Sequence, residues 1–502
     1  MELTETFRTL LETFSPVFTE PSFRTWVLLL TGWAVSSRQR FVTDLIVSSD
    51  STRNGHFSDY HRFFSHAKWD LDHLWRLLAE KLVAVFVGAD GVILLAADDT
   101  LCRKRGLSLF GVGMHHDPLI SSRAMRLVSW GHDWVILSLI VVNPWWAPTK
   151  VFALPICARL YRNRQGLTKG QKSKPRQSRA ASKRDSQSSK RATKSARREV
   201  KREKSAARHD RRTTVRATGR VAKTSGKGAD SSTHRTRPEL LREMLVLVAA
   251  WFPQRRFLLT VDSLYSGESV LRYLPSNVDL IGPVHSQAAL FAPPPPRGST
   301  RGAPRKKGKR LPDRDAWTND HTKWQRLKFD QYGLHTTLQV KTRTGLYYTA
   351  GRDRLLQFVL SRDATGQRPT QIFYCTDLTL TAHDILSNYS RRWSVEVMHH
   401  DVKQLLGFDD PANRVPLAVS RTAPMALVIY SLTVLWFAET GHKQLRFPHR
   451  PWYRRKQEPS FGDMLTTLRN ASWNDQFSGL PQPSAPWKNK LNLLKYLATL
   501  AG

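Results

Sequence analysis

Cysteine is scarce in this sequence: 502 residues contain three, Cys102, Cys157 and Cys375, far apart and in no paired spacing. That excludes a disulfide framework and a zinc knuckle, so any bound metal must be held by oxygen ligands. Acids are few as well, 41 against 78 lysines and arginines, which leaves a formal net charge of +37 and a sequence pI near 10.6. Such an imbalance exceeds what solubility requires and points to a polyanionic partner, nucleic acid before a membrane surface. Long apolar runs are missing too. "DWVILSLIVV" (133–142) stops at Asn143-Pro144, and "MALVIYSLTVLWFA" (425–438) is shorter than the roughly 20 residues of a spanning helix. They read as a buried strand and a buried helix, and no membrane association is expected. The opening "MELTETFRTLLETF" has no basic stretch followed by an apolar core, so no secretory signal is expected and a cytoplasmic protein is.

What is present suffices for a sizeable core and two or three domains. Residues 1–85 show apolar recurrence at helical spacing in "FRTLLETF", "SFRTWVLLLTGWAV" and "WDLDHLWRLLAEKLV". From Val83 the texture turns to strand, with three successive strands in "AVFVGADGVILLAADDT", "DWVILSLIVV" and "KVFALPICARLY" closing a first core segment over 86–161. The segment 162–237 is different: between Arg162 and Lys227 there are 24 Lys or Arg against four Asp or Glu, with no aromatic residue. Too little apolar surface exists there to offset ordering entropy, and a basic arm lying along phosphates is the favoured reading over a solvated linker. Helix, strand, helix and strand follow over 238–291. A Pro-rich basic linker, "APPPPRGSTRGAPRKKGKR", then opens a β-rich insertion over 292–375, helices return over 376–440, and 441–502 is a helical C-terminal region.

Acids stand at the end of the first strand (Asp98, Asp99), at the end of the strand after the first core helix (Asp262), and in a late helix (Glu396). Carboxylates from separate elements are what two magnesium ions about 3.5–4 Å apart require in phosphodiester chemistry. Strand-end aspartates are also common in turns, so no one of them suffices alone. The stretch "NYSRRWSVEVMHHDVKQLLGFDD" (388–410) adds a pattern: at about 100° per residue Tyr389, Arg392, Glu396 and Lys403 fall within an arc of about 60° on one helix. A salt-bridged solvated face accounts for part of this, because Arg392 and Glu396 form an i,i+4 pair. His399, His400 and Asp401 share that helix, but imidazole is not needed at an oxygen-rich site. Trp317, Trp324 and Trp393 suit either base stacking or packing.

The segment "YSRRWSVEVMHHDVK", with "LLAADDTLCRKRG" and "LLTVDSLYSG", resembles the DDE transposases of bacterial insertion sequences, in the cut-and-paste group marked by a Tyr-x-x-Arg-x-x-x-Glu-x-x-x-x-x-x-Lys helix. The resemblance spans roughly residues 85–440 and implies an α/β fold: an RNase H-like catalytic core with a β-rich insertion, flanked by helical N-terminal and C-terminal regions. It implies Asp98, Asp262 and Glu396 as catalytic and metal-binding acids, with Asp99 competing for the first place. Tyr389, Arg392 and Lys403 would contact phosphates of the cleaved end, and Lys104 and Arg105 would contact DNA as well. Two Mg2+ ions, replaceable by Mn2+, double-stranded DNA as element end and target, and a homodimer in the DNA complex are further implications. The N-terminal region would bind DNA ends and the C-terminal region would dimerise. The activity so implied is cleavage at terminal inverted repeats and joining of 3′ hydroxyl ends to target DNA. A catalytically silent DNA-binding descendant is the alternative. An RNA-binding protein is disfavoured, because no aromatic RNA-module motif is evident.

Overall fold

A computed structural model describes residues 2–36, 39–50, 55–122, 124–163, 234–296, 303–331, 334–366, 368–447 and 456–478. Most of the basic stretch expected over 162–237, as well as the end of the C-terminal region, therefore lies outside the described residues. The N-terminal apolar spacing produces α1 (Glu5–Glu12), α2 (Glu20–Val35), α3 (Val42–Ser48), α4 (Phe57–Ser65) and α5 (Leu71–Phe86). Asp70 caps α5, its carboxylate accepting from the backbone N–H groups of Asp72 and His73, both at 3.2 Å. The change of texture read at Val83 thus falls inside the last turn of α5.

The sheet begins with β1 (Ile93–Arg103), followed by β2 (Gly113–His116), β3 (Val128–Val142) and β4 (Val151–Tyr161). β3 runs antiparallel to β1 and carries β2 and β4 on its other edge. After α6 (Arg237–Trp251), β5 (Phe257–Val261) joins β1 in parallel, and β6 (Val278–Pro283) joins β5 in parallel. The spatial order β4-β3-β1-β5-β6, with antiparallel strands on one side and parallel strands on the other, is consistent with an RNase H-like fold.

The stretch expected as an insertion does not form a sheet of its own. Its strands β7 (Gln325–Gln331), β8 (Leu334–Leu346), β9 (Leu355–Asp363) and β10 (Gln371–Cys375) pair in series, and β10 pairs antiparallel with β6, giving one sheet of ten strands. Four α-helices follow among the described residues: α7 (Ala382–Arg391), α8 (Ser394–Leu406), α9 (Pro416–Glu439) and α10 (Phe461–Ser478). Ala382, Ile385 and Leu386 of α7 pack on Leu258, Ile281, Val359 and Phe373 of the sheet. α8 stops at Gly407, whose φ of +60° suits glycine, and whose missing Cβ would meet Asp410 Oδ2 at 2.2 Å.

α9 is longer than the apolar run within it suggested. Its 24 residues are long and apolar enough to cross a membrane, yet most of them are buried inside the protein, and they include Arg421 and Pro424. The N-terminal helices close around it. Trp26 Nε1 reaches Met425 Sδ at 3.4 Å, Trp436 Nε1 donates to Thr6 Oγ1 at 3.0 Å, and Trp33 Nε1 donates to the carbonyl of Leu406 at 2.7 Å. One continuous apolar core therefore runs from these helices into the sheet.

Candidate active site at the ends of the parallel strands

Asp98 and Asp262 are neighbours by strand register. Ala97 pairs with Val261 across the parallel β1–β5 ladder, and each acid is the next residue in its chain. Strand alternation sends Leu94 and Leu258 to the face under α7, and Asp98 and Asp262 lie an even number of positions along the same strands. Burial pushes the Asp98 carboxyl up to about 7, opposed by the Arg392 guanidinium and reinforced by the charges of Asp262 and Asp99. Burial raises Asp262 in the same way, against the pull of Arg392, while its Oδ1 accepts from the Leu264 backbone N–H at 2.9 Å.

The helix expected to carry all four members of the Tyr389–Lys403 stripe is two helices. α7 ends at Arg391 and α8 begins at Ser394. At the joint the bonds tighten to i→i−3: the N–H of Val395 donates to the Arg392 carbonyl at 2.9 Å, and that of Glu396 to the Trp393 carbonyl at 3.0 Å. Such a turn advances about 120° per residue instead of about 100°, so the wheel loses its register there. Arg392, at the joint, reaches the strand acids: its Nη1 donates to Asp98 Oδ2 at 2.7 Å while Nη2 lies 3.6 Å from Glu396 Oε1. Burial raises the Glu396 carboxyl, and Arg392 opposes that rise. Tyr389 packs its ring on Phe373 at 4.5 Å between centroids, with the Arg392 guanidinium 5.8 Å from the Tyr389 ring.

Three cations of the expected DNA-binding set sit differently from one another. Lys403 Nζ donates to the Leu101 carbonyl at 2.8 Å. Lys104 Nζ donates to the carbonyls of Asp409 and, at 2.9 Å, Pro411, and burial lowers its pKa. Arg105 is exposed. Trp317 is buried, with the Arg343 guanidinium 5.0 Å from its ring, and Trp324 has Arg362 at 4.0 Å; Trp393 is exposed. His399 is buried, its pKa held near 3 by that burial, whereas His400 is exposed beside Asp401 at 3.3 Å.

Asp99 points the other way, and sequence alone did not reveal what it meets there. Tyr265 Oη donates to Asp99 Oδ1 at 2.9 Å, and Arg237 Nε lies 3.3 Å from Asp99 Oδ2. The same Nε donates to Asp133 Oδ2 at 2.6 Å, with the guanidinium over the Tyr161 ring at 4.3 Å. Burial and the charge of Asp99 raise the Asp133 carboxyl against Arg237. His115 Nδ1 is 3.5 Å from Asp133, and burial, aided by Arg237, lowers this imidazole to about 4. One signal was available: Asp133 is the sole Asp, Glu, Lys or Arg in β3 and opens its apolar run to Val142.

The donors facing α7 and α8 are carboxylate oxygens, suited to a hard divalent cation, and Asp98 and Asp262 stand on neighbouring strands, where burial raises both carboxyls. By donor chemistry this pair fits such an ion. Glu396 is joined to Asp98 through Arg392, and among the described residues no three His, Cys, Asp or Glu side chains lie close enough together to hold a metal. A family model described as DDE superfamily endonuclease matches residues 13–346, and one for an archaeal ISC1217-type transposase matches residues 345–429. No curated protein matches the chain.

Proposed function

Because the chain belongs to the DDE superfamily endonucleases, whose members generally use divalent metals, we propose that it is a DNA transposase that binds terminal inverted repeats, cleaves element ends and joins the 3′ hydroxyls to target DNA. The observation that carries this reading is the pair Asp98 and Asp262, side by side just past the last parallel pair of β1 and β5, beneath the joint that bears Arg392 and Glu396; Asp98 lies within β1, which runs on to Arg103 against β3, and not at the strand end expected from the sequence. Asp98 and Asp262, joined by Glu396 once Arg392 withdraws from between it and Asp98, would hold two Mg2+ ions, with Mn2+ able to replace them. Bound there, the metals supply Lewis acidity toward the attacking water or hydroxyl and toward the leaving oxygen.

The chain's own groups do the rest. Arg392 balances Asp98 and Glu396 and offers a planar guanidinium beside the scissile phosphate. Lys403 donates to one carbonyl and Lys104 to two, so each ammonium, with three donors, keeps capacity for a phosphate oxygen. Tyr389 and Arg105 extend that phosphate track, and two copies of the chain would synapse two ends.

One observation favours a second reading, a catalytically silent DNA-binding descendant: a guanidinium stands between Asp98 and Glu396. Cleavage of a labelled duplex carrying the flanking element end, in Mg2+, separates the two. Wild type is compared with Asp98→Asn, Asp262→Asn and Glu396→Gln at matched DNA binding. Loss of cleavage in all three supports the transposase. A wild type that binds and never cuts supports the silent descendant, and variants that still cut overturn the acid assignment.

A further inference from the structure

The segment between β1 and β3 presents apolar side chains to solvent on a rigid support. Leu107 (85 % exposed), Leu119 (83 %), Ile120 (47 %), Met125 (61 %) and Val128 (52 %) are all uncovered. Buried Asp117 organises the turn between β2 and β3. Its carboxylate accepts from Arg103 Nε at 2.7 Å, Ser129 Oγ at 2.6 Å and the Leu119 N–H at 3.1 Å, and its own N–H donates to the Leu127 carbonyl at 3.0 Å. Ser121 Oγ closes the loop, accepting from the Leu127 N–H at 2.9 Å. Exposed apolar groups held this firmly mark a docking surface.

Charge and position identify what docks. Residues 103–128 hold five lysines and arginines and a single acid, Asp117, which is buried. Arg105 and Arg126 are exposed beside the apolar tip. β3 runs on past the acid site: Ile136 pairs with Asp98, and Val128 lies eight residues further along the strand, about 26 Å at roughly 3.3 Å per residue. A duplex laid along this strand would meet the tip some seven to nine base pairs from Asp98, at about 3.4 Å per pair.

We propose that the β2–β3 turn is a second DNA-docking element, in which Leu119, Ile120 and Met125 enter a groove of the duplex while Arg105 and Arg126 hold phosphates on its sides. Apolar wedges flanked by cations serve duplex-bending proteins in this way. The inference rests on the DNA-substrate reading above and adds to it a contact remote from the cleaved bond.

The test uses the full chain and a fluorescent duplex carrying the element end. Fluorescence anisotropy over a salt series is measured for wild type, for Leu119→Ser with Met125→Ser, and for Arg105→Ala with Arg126→Ala, alongside thermal melts and light scattering of the free proteins. The serine pair is expected to weaken binding about tenfold at every salt concentration, with the melt and oligomeric state unchanged. The alanine pair is expected to lower the salt slope by about 2. Serine-pair affinity within about twofold of wild type overturns the proposal while leaving the active-site reading intact. Conversion of a wild-type dimer to monomers by the serine pair also overturns it, assigning the tip to a second copy of the chain. A wild type with no affinity for the duplex overturns both readings.

Discussion

Arg392 shows how one residue settles a charge balance that spacing only hinted at. Its two contacts, 2.7 Å to Asp98 and 3.6 Å to Glu396, use both ends of a guanidinium fork. Lysine keeps the charge but not the fork, so Arg392→Lys is expected to lower cleavage of the element-end duplex at least about tenfold while leaving duplex affinity within a few-fold, read by gel cleavage and anisotropy. Asp117 gives the pH dependence. Its bond from Arg103, with those from Ser129 and the Leu119 N–H, holds the carboxyl down to about 2, below its ordinary value. A lowered folded pKa contributes stability that is full above about pH 4 and is lost as pH falls toward 2. Asp117→Asn is therefore expected to cost about 1–2 kcal/mol near pH 7, a difference that shrinks on acidification, and to speed amide exchange at Leu119 and Leu127. At this scale the acids were legible and their company was not. Asp98 and Asp99 are adjacent in sequence, and strand alternation sends one toward Arg392 and the other toward Tyr265 and Arg237.

Elements were read well where they are long and periodic. The three β-rich runs became β1, β3 and β4, while four-residue β2 is too short to leave a period-2 signal. The joint between α7 and α8 escaped notice because residues 388–396 contain neither proline nor glycine, so nothing local marks the tightened turn. α9 shows how one element organises others. Its buried Arg421 donates to the Ala67 carbonyl at 2.8 Å and to that of Trp69, and stacks on the Trp69 ring at 4.1 Å, fastening the segment between α4 and α5. Arg421→Ala leaves both carbonyls without this partner, and is expected to lower unfolding free energy by about 2–4 kcal/mol in chemical denaturation. Arg421→Met, which keeps the packing volume, is expected to recover only the smaller share of that loss.

For the whole molecule, the excess of 37 positive charges predicts steep electrostatics. Affinity for a short duplex is expected to fall at least about a hundredfold between about 50 and 200 mM salt, read by anisotropy; a flat salt profile would contradict a phosphate-tracking protein. Composition and spacing by themselves determined a positive excess suited to a polyanionic partner, the lack of a cysteine set for a metal, and the segments in which acids stand, because charge count, ligand chemistry and strand period are local properties of the chain. Tertiary structure decided that β7 to β10 extend the central sheet, that the N-terminal helices share its core, and that Arg392 stands between Asp98 and Glu396. Those outcomes depend on which strand edge finds a partner and which side chain finds a buried charge, contacts between residues hundreds of positions apart that no local period encodes.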